Sequence, residues 1–138
     1  MNGKNTIFND WLHPWQFHLS FENQVIAIGR YSNNSGNPIL GVSATRKVSL
    51  NTWTHVVVTW NHATGSVVIY IDGEKVGTKT IPPKETSFHP PTGKSYQIGN
   101  DGHPSDHQFY GSVMDLYVFG TALSPDEIIR LRGWCVIT

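Results

Sequence analysis

The 138-residue sequence has a single cysteine, Cys135, so no intrachain disulfide can form and the fold must rest on packing. Charge is scarce at 14% of residues and unbiased, with ten Lys plus Arg against ten Asp plus Glu. With no basic excess to neutralise phosphates, nucleic-acid binding is not expected. No apolar run approaches the ~20 residues that cross a bilayer, so membrane insertion is not expected either. The opening residues show no signal-peptide pattern, and the sequence has no internal repeat and no low-complexity tract.

Aromatics are plentiful at 12%, alongside 13 glycines and 8 prolines. This mixture suits strands joined by tight turns better than a helical bundle, whose outer faces need charge. The length fits one domain, expected over residues 1–138.

Alternation at period two dominates. Phe17, Leu19 and Phe21 share one side of a strand, and Val25, Ile26 and Ile28 follow in a second. The segment from Ser32 to Pro38 reads as a loop, and its Asn33-Asn34-Ser35 is a glycosylation acceptor pattern. His55-Val56-Val57-Val58-Thr59-Trp60 reads as a buried strand. Ser66 to Ile71 runs back from it, and Asp72-Gly73 predicts a type I′ hairpin turn into a strand from Glu74 to Thr80. The proline-rich stretch from Pro82 to Gly93 reads as a surface loop. Tyr96 to Gly99 and Val113 to Phe119 read as further strands, with Val57, Ile69 and Val118 expected in the interior. One helix is predicted after Ser124-Pro125-Asp126-Glu127, a capping box with proline at the first helical position. Ile128 and Leu131 face inward, and Gly133 is the expected stop. The expected fold is all-β: a two-sheet antiparallel sandwich with one short C-terminal helix.

Several segments together resemble the concanavalin A-like jelly rolls, in particular laminin-G-like and pentraxin-like domains. They are Trp53 to Trp60, Thr64 to Gly73, Ile98-Gly99-Asn100, Phe109 to Phe119, and Ala122-Leu123-Ser124-Pro125-Asp126-Glu127-Ile128. The resemblance is good over about 51–131 and loose over 6–50. It implies a jelly roll whose opening strands are shortened or missing. An edge strand left uncovered in that way invites pairing, so a homo-oligomer through that edge is expected. The pentraxin cysteine falls at Val57 by this resemblance, and with no partner cysteine present the inter-sheet disulfide is absent.

The resemblance also implies recognition of a glycan or an extracellular protein, in some members with Ca²⁺ at one rim, and a secreted or extracellular setting. The candidate loop is Asn100-Asp101-Gly102-His103-Pro104-Ser105-Asp106. Asn100, Asp101 and Asp106 offer hard oxygen donors of the kind Ca²⁺ takes. The position often acidic in pentraxins after the last Gly-x-x is Met114. A polar turn that uses Asn, Asp and Gly for their backbone conformations is the alternative. With His103, the aromatics Tyr110, Trp11 and Trp15 complete the candidate ligand-binding set, since flat rings pack on sugar C–H faces. Trp11 and Trp15 have a structural alternative as cover for the end of the sandwich. Trp53 and Trp60 are expected in the core or in inter-strand packing, Trp134 against the sheet, and His55 as a hydrogen-bonded structural residue. His62, His103 and His107 could suggest zinc, but no thiolate partner accompanies them and zinc is not expected.

An enzyme is not expected. The acidic residues two apart are Asp72 and Glu74, across a hairpin turn, and no Gly-x-Ser-x-Gly elbow occurs. The sequence therefore favours a non-catalytic glycan-binding module, with a protein-adhesion domain of a larger extracellular protein as the alternative. A glycan hydrolase or lyase ranks third.

Overall fold

The computed structural model describes residues 5–12, 15–32, 38–61, 63–80, 96–99 and 108–134. Eight strands and one helix lie among them: β1 (Asn5–Leu12), β2 (Trp15–Glu22), β3 (Val25–Ser32), β4 (Pro38–Ser43), β5 (Val56–Asn61), β6 (Ser66–Ile71), β7 (Glu74–Thr80), β8 (Tyr96–Ile98) and α1 (Pro125–Trp134). They form two antiparallel sheets, a five-stranded one in the order β4-β3-β2-β1-β8 and a three-stranded one in the order β5-β6-β7.

The hairpins follow from local chemistry. Asn23 and Gln24 adopt φ of 50° and 67° between Glu22 and Val25, which face each other across β2 and β3. Asp72 and Gly73 do the same at 53° and 82° between Ile71 and Glu74. Two consecutive positive φ values are the type I′ signature, expected from the sequence at Asp72-Gly73 and found also at Asn23-Gln24. Asn61 Oδ1 accepts from the Thr64 N–H at 3.2 Å and shapes the turn from β5 to β6.

β6 is buried on both faces. Val67, Ile69 and Ile71 point into the space between the sheets, against Ile26, Ile28, Val42 and Ala44 of the larger sheet and its β4 exit. Val68 and Tyr70 point the other way, onto Ile128 of α1, with Val57 and Leu123 at the margin. Only a strand covered twice tolerates so continuous an apolar run. α1 starts as its capping box requires: the Ser124 N–H and hydroxyl donate to Glu127 Oε2 at 2.7 and 2.8 Å, and the Glu127 N–H donates to Ser124 Oγ at 3.4 Å. The Ser124 bonds hold the Glu127 carboxyl below its usual range.

The sheets come closest where β4 meets β7. The Thr45 N–H donates to the Val76 carbonyl at 2.7 Å. A Cβ on Gly77 would lie 2.9 Å from the Ser43 carbonyl oxygen, so only glycine permits this approach. On the opposite side the smaller sheet ends at β5, which has no strand neighbour on its outer edge among the described residues.

Several expectations are corrected. Val113 to Phe119 is not a strand: the segment pairs with no strand among the described residues, and Asp115 sits at φ 52°. A left-handed residue interrupts the extended path that a ladder needs. Val118 is accordingly 70% exposed rather than interior, and Trp53 is 64% exposed rather than core. Trp53 precedes β5, where the alternation of the strand does not extend. Gly133 lies inside α1, which runs on to Trp134. Ile69 is fully buried as expected, while Val57 and Trp60 are half-buried, Val57 beside α1 and Trp60 against the main core. The side chain of Trp134 and the residue Cys135 lie outside what the structure describes.

Asp72 ties the hairpin to its surroundings. Its Oδ1 accepts from the His55 N–H at 3.1 Å, its own N–H donates to the His55 carbonyl at 2.8 Å, and Arg46 Nη2 donates to its Oδ2 at 3.2 Å. Because the Arg46 pair is substantially exposed, it adds little by itself. Asp72→Ala therefore costs about 1–2 kcal/mol, mainly from the lost acceptor. Asp72→Asn, which keeps an oxygen and tolerates positive φ, costs about half as much. Urea unfolding of the two variants checks this order.

Candidate functional site

The loop with the expected oxygen donors leaves the larger sheet at the end of β8. β8 pairs with β1 through Phe8 and Ile98, Asn9 and Gln97, and Asp10 and Tyr96. Gly99 then donates its N–H to the Ile7 carbonyl at 2.9 Å, and its own carbonyl accepts from the Phe109 N–H at 2.8 Å. Gln108 bridges to Thr6 in parallel sense. The chain that departs at Gly99 therefore returns beside it, on the same stretch of β1. Asn100, Asp101, His103 and Asp106, all within the loop so closed, lie outside the described residues.

The return is anchored by aromatic packing. The Phe109 ring meets Phe21 edge-on at a centroid distance of 6.1 Å and an interplanar angle of 80°. Such T-shaped pairs align ring edge with ring face. Tyr110, the next residue, is 81% exposed, so its ring stands in solvent close to the mouth of the loop.

Trp11 and Trp15 occupy the other end of β1. Trp11 stands opposite Gln16, and Trp15 opposite Leu12, flanking the turn between β1 and β2. Trp11 lies four residues beyond Ile7, or about 13 Å at ~3.3 Å per residue. The fold thus groups Tyr110 with the base of the loop and sets both tryptophans at the far end of the strand. Nothing in the sequence alone fixes this separation, because it follows from the β1–β8 register.

An exposed apolar segment was not foreseen as a surface. Val113, Met114, Leu116, Tyr117, Val118 and Phe119 are all exposed, and the rings of Tyr117 and Phe119 stack at 6.2 Å and 30°. Its apolar content was legible in the sequence, but alternation there signalled a buried strand. Contiguous exposed apolar surface of this kind marks interaction sites.

Among the described residues, no group of three or more His, Cys, Asp or Glu side chains is placed to hold a metal ion. Asp72 and Glu74 both face Arg46, at 3.2 and 3.8 Å. Asp72 also accepts from the His55 N–H and so ties the hairpin to the entry of β5. Asn33-Asn34-Ser35, His62 and His107 lie outside the described residues. The His55 ring differs from expectation: its Nδ1 is buried and has no hydrogen-bond partner, while the backbone of His55 makes both bonds to Asp72. No helix among the described residues is long and apolar enough to cross a membrane.

Residues 2–129 match the model of the concanavalin A-like lectin/glucanases superfamily. Among curated proteins, pentraxin-related protein PTX3 of Mus musculus is 28% identical over 126 residues, covering 86% of this chain and 31% of that protein. C-reactive protein of Xenopus laevis is 30% identical over 83 residues, covering 57% and 34%. Serum amyloid P-component of Bos taurus is 28% identical over 114 residues, covering 80% and 49%. The chain spans between 31% and 49% of the length of these relatives. Among solved structures, a native heptameric SAP-like pentraxin from Limulus polyphemus aligns with a TM-score of 0.64 at 18% identity, over 95% of this chain and 64% of that one. An S-layer domain-containing protein from Clostridium thermocellum aligns with a TM-score of 0.53 at 23% identity, over 96% and 64%. At these identities the structural likeness concerns the fold.

The exposure pattern has a direct consequence for stability. Val118→Ser changes the unfolding free energy by no more than about 0.5 kcal/mol, whereas Ile69→Ala costs about 2–5 kcal/mol. Chemical denaturation of both variants reads this contrast. A loss at Val118 as large as that at Ile69 would place the segment in a core.

Proposed function

This chain belongs to the concanavalin A-like lectin/glucanases superfamily, and from that premise we propose that it is a non-catalytic recognition module for an extracellular glycan. The observation that supports this reading is the closure of the loop at Gly99 and Phe109, beside an exposed Tyr110. Bonding the two ends of the segment to each other and to β1 removes the cost of closing the loop, which scales only slowly with its length. Asn100, Asp101 and Asp106 supply oxygens to a bound Ca²⁺, with backbone carbonyls and water completing the six to eight ligands that the ion takes. A bound Ca²⁺ would offer coordination to sugar hydroxyls with His103 as a hydrogen-bonding neighbour, and the Tyr110 ring would pack on a sugar C–H face. Trp11 and Trp15, at the other end of β1, provide a second aromatic contact for an extended ligand.

Retaining glycoside hydrolysis needs carboxylates about 5 Å apart, and the inverting reaction about 6.5–9.5 Å, flanking the scissile bond. Asp72 and Glu74 are instead drawn onto one guanidinium.

A second reading rests on a different observation, the exposed apolar segment from Val113 to Phe119. An exposed apolar strip of this kind suits a protein partner, including a second copy of this chain. In that reading the domain is an adhesion element of a larger extracellular protein.

A glycan array probed with Ca²⁺ and again with chelator separates the two. The lectin reading expects binding that is competed by free sugar, lost in chelator, and lost in Asp101→Asn and Asp106→Asn. Tyr110→Ala weakens it at least about ten-fold, the loss of one buried aromatic contact. Sugar binding indifferent to chelator and to both Asp variants removes the metal from the account. An empty array with saturable binding to a purified cell-surface protein moves the function to adhesion.

A further inference from the structure

The segment that joins the larger sheet to α1 is held at both ends and bare between them. At its start the Phe109 N–H donates to the Gly99 carbonyl at 2.8 Å, and the Phe109 ring lies edge-on to Phe21. At its end the capping box of Ser124 and Glu127 leads into Ile128, buried against Val68 and Tyr70. Between these anchors Tyr110 and the apolar side chains from Val113 to Phe119 each stand at least 41% exposed. Tyr117 and Phe119 stack on each other, with ring centroids 6.2 Å apart.

The extent of this surface bears on what covers it. With roughly 200 Å² for a large aromatic side chain and roughly 100 Å² for an aliphatic one, the segment leaves on the order of 600 Å² of apolar surface in water. That is the top of the range that a monomer leaves open, about 300–600 Å². Two such surfaces facing each other bury on the order of 1,200 Å², the size at which specific interfaces begin. Charge points the same way. Asp115 is the one charged residue from Tyr110 to Thr121, and the chain balances ten Lys plus Arg against ten Asp plus Glu, so two copies meet without net repulsion.

We propose that the segment from Tyr110 to Phe119 is the contact between two copies of this chain, packed across a two-fold axis at Leu116. The proposal rests on the reading of this segment as a protein-contact surface and names the partner. In an isologous contact the same patch meets itself in reverse. Reversal about Leu116 sets Val113 opposite Phe119, Met114 opposite Val118, and Asp115 opposite Tyr117. The two carboxylates are thereby kept off each other, and each meets a tyrosine hydroxyl, which can donate to it. A parallel alignment would instead oppose Asp115 to its own copy, like charge against like. Asp115 sits at φ 52°, which breaks the extended path, so the copies join by side chains and not by a continued ladder.

The strength of the contact follows from its size. An interface at the small end of the specific class, with no ion pair at its centre, gives a reversible dimer with a dissociation constant on the order of 10 µM. Below that concentration the monomer prevails, and unfolding of Val118→Ser there reports the monomer alone. Above it the apolar segment is covered.

The test is sedimentation equilibrium of the whole chain from about 1 to about 100 µM, which brackets the dissociation constant. The mass is expected to rise from 15.4 kDa toward twice that value. Val113→Glu and Phe119→Lys each raise the dissociation constant at least about ten-fold, because each sets a lone charge against an apolar residue. Mixing the two variants restores the dimer, since one of its two Val113–Phe119 contacts becomes a salt bridge and the other stays native. Leu50→Asp, at an exposed residue outside the segment, leaves the association unchanged. A mass that stays at 15.4 kDa up to about 100 µM overturns the proposal. So does association untouched by either charged variant, and so does a mixture that stays monomeric. A chain that is monomeric throughout, yet loses binding to a purified cell-surface protein in Phe119→Lys, overturns the second copy and leaves the protein-contact reading standing.

Discussion

The architecture depends on covering β6 from both sides. Val67, Ile69 and Ile71 need the larger sheet, and Val68 and Tyr70 need α1. Each fully buried aliphatic side chain contributes roughly 1.5–3 kcal/mol, so neither cover is dispensable. The first requirement sets the sandwich, with β4 and β7 drawn into backbone contact at its closed side. The second brings the chain back from Phe119, across to Ser124 and into a helix that begins on its own capping box.

The same constraint positions the surfaces available for binding. The larger sheet, held against β6, makes β1 an inner strand bonded to both β2 and β8. Gly99 and Phe109 are fixed to each other beside Ile7, and the loop between them emerges from rigid backbone. On the smaller sheet β6 lies between β5 and β7, and no strand pairs with the outer edge of β5 among the described residues. The larger sheet thus carries the paired ends of a loop beside an exposed tyrosine, and the segment from Val113 to Phe119 exposes apolar side chains.

The central hairpins were legible because their signals are local. Asp72-Gly73 demands positive φ at two consecutive residues, and Ser124 to Glu127 is a complete capping box, so neither needs distant partners to be recognised. β1 was not assigned from Asn5-Thr6-Ile7-Phe8-Asn9-Asp10-Trp11-Leu12, whose alternation is weak; its strand character comes from neighbours on both edges. Val113 to Phe119 erred in the opposite sense. Its composition is that of a strand, but a strand exists only where a ladder partner is in register, and Asp115 turns the backbone away. Trp53 likewise sits outside the alternation of β5. For the candidate site, the sequence named the loop and its aromatics. The distance between Tyr110 and the two tryptophans along β1 is a property of register, which composition does not encode.

Native-state hydrogen exchange under EX2 conditions at neutral pH addresses the double burial of β6 most directly. If β6 is the strand on which both covers depend, the amides of Val67 to Ile71 open only with global unfolding, at the full unfolding free energy measured independently by denaturant. Should those amides exchange through a cheaper local opening while β2 and β3 stay protected, β6 is not the element that holds the fold together.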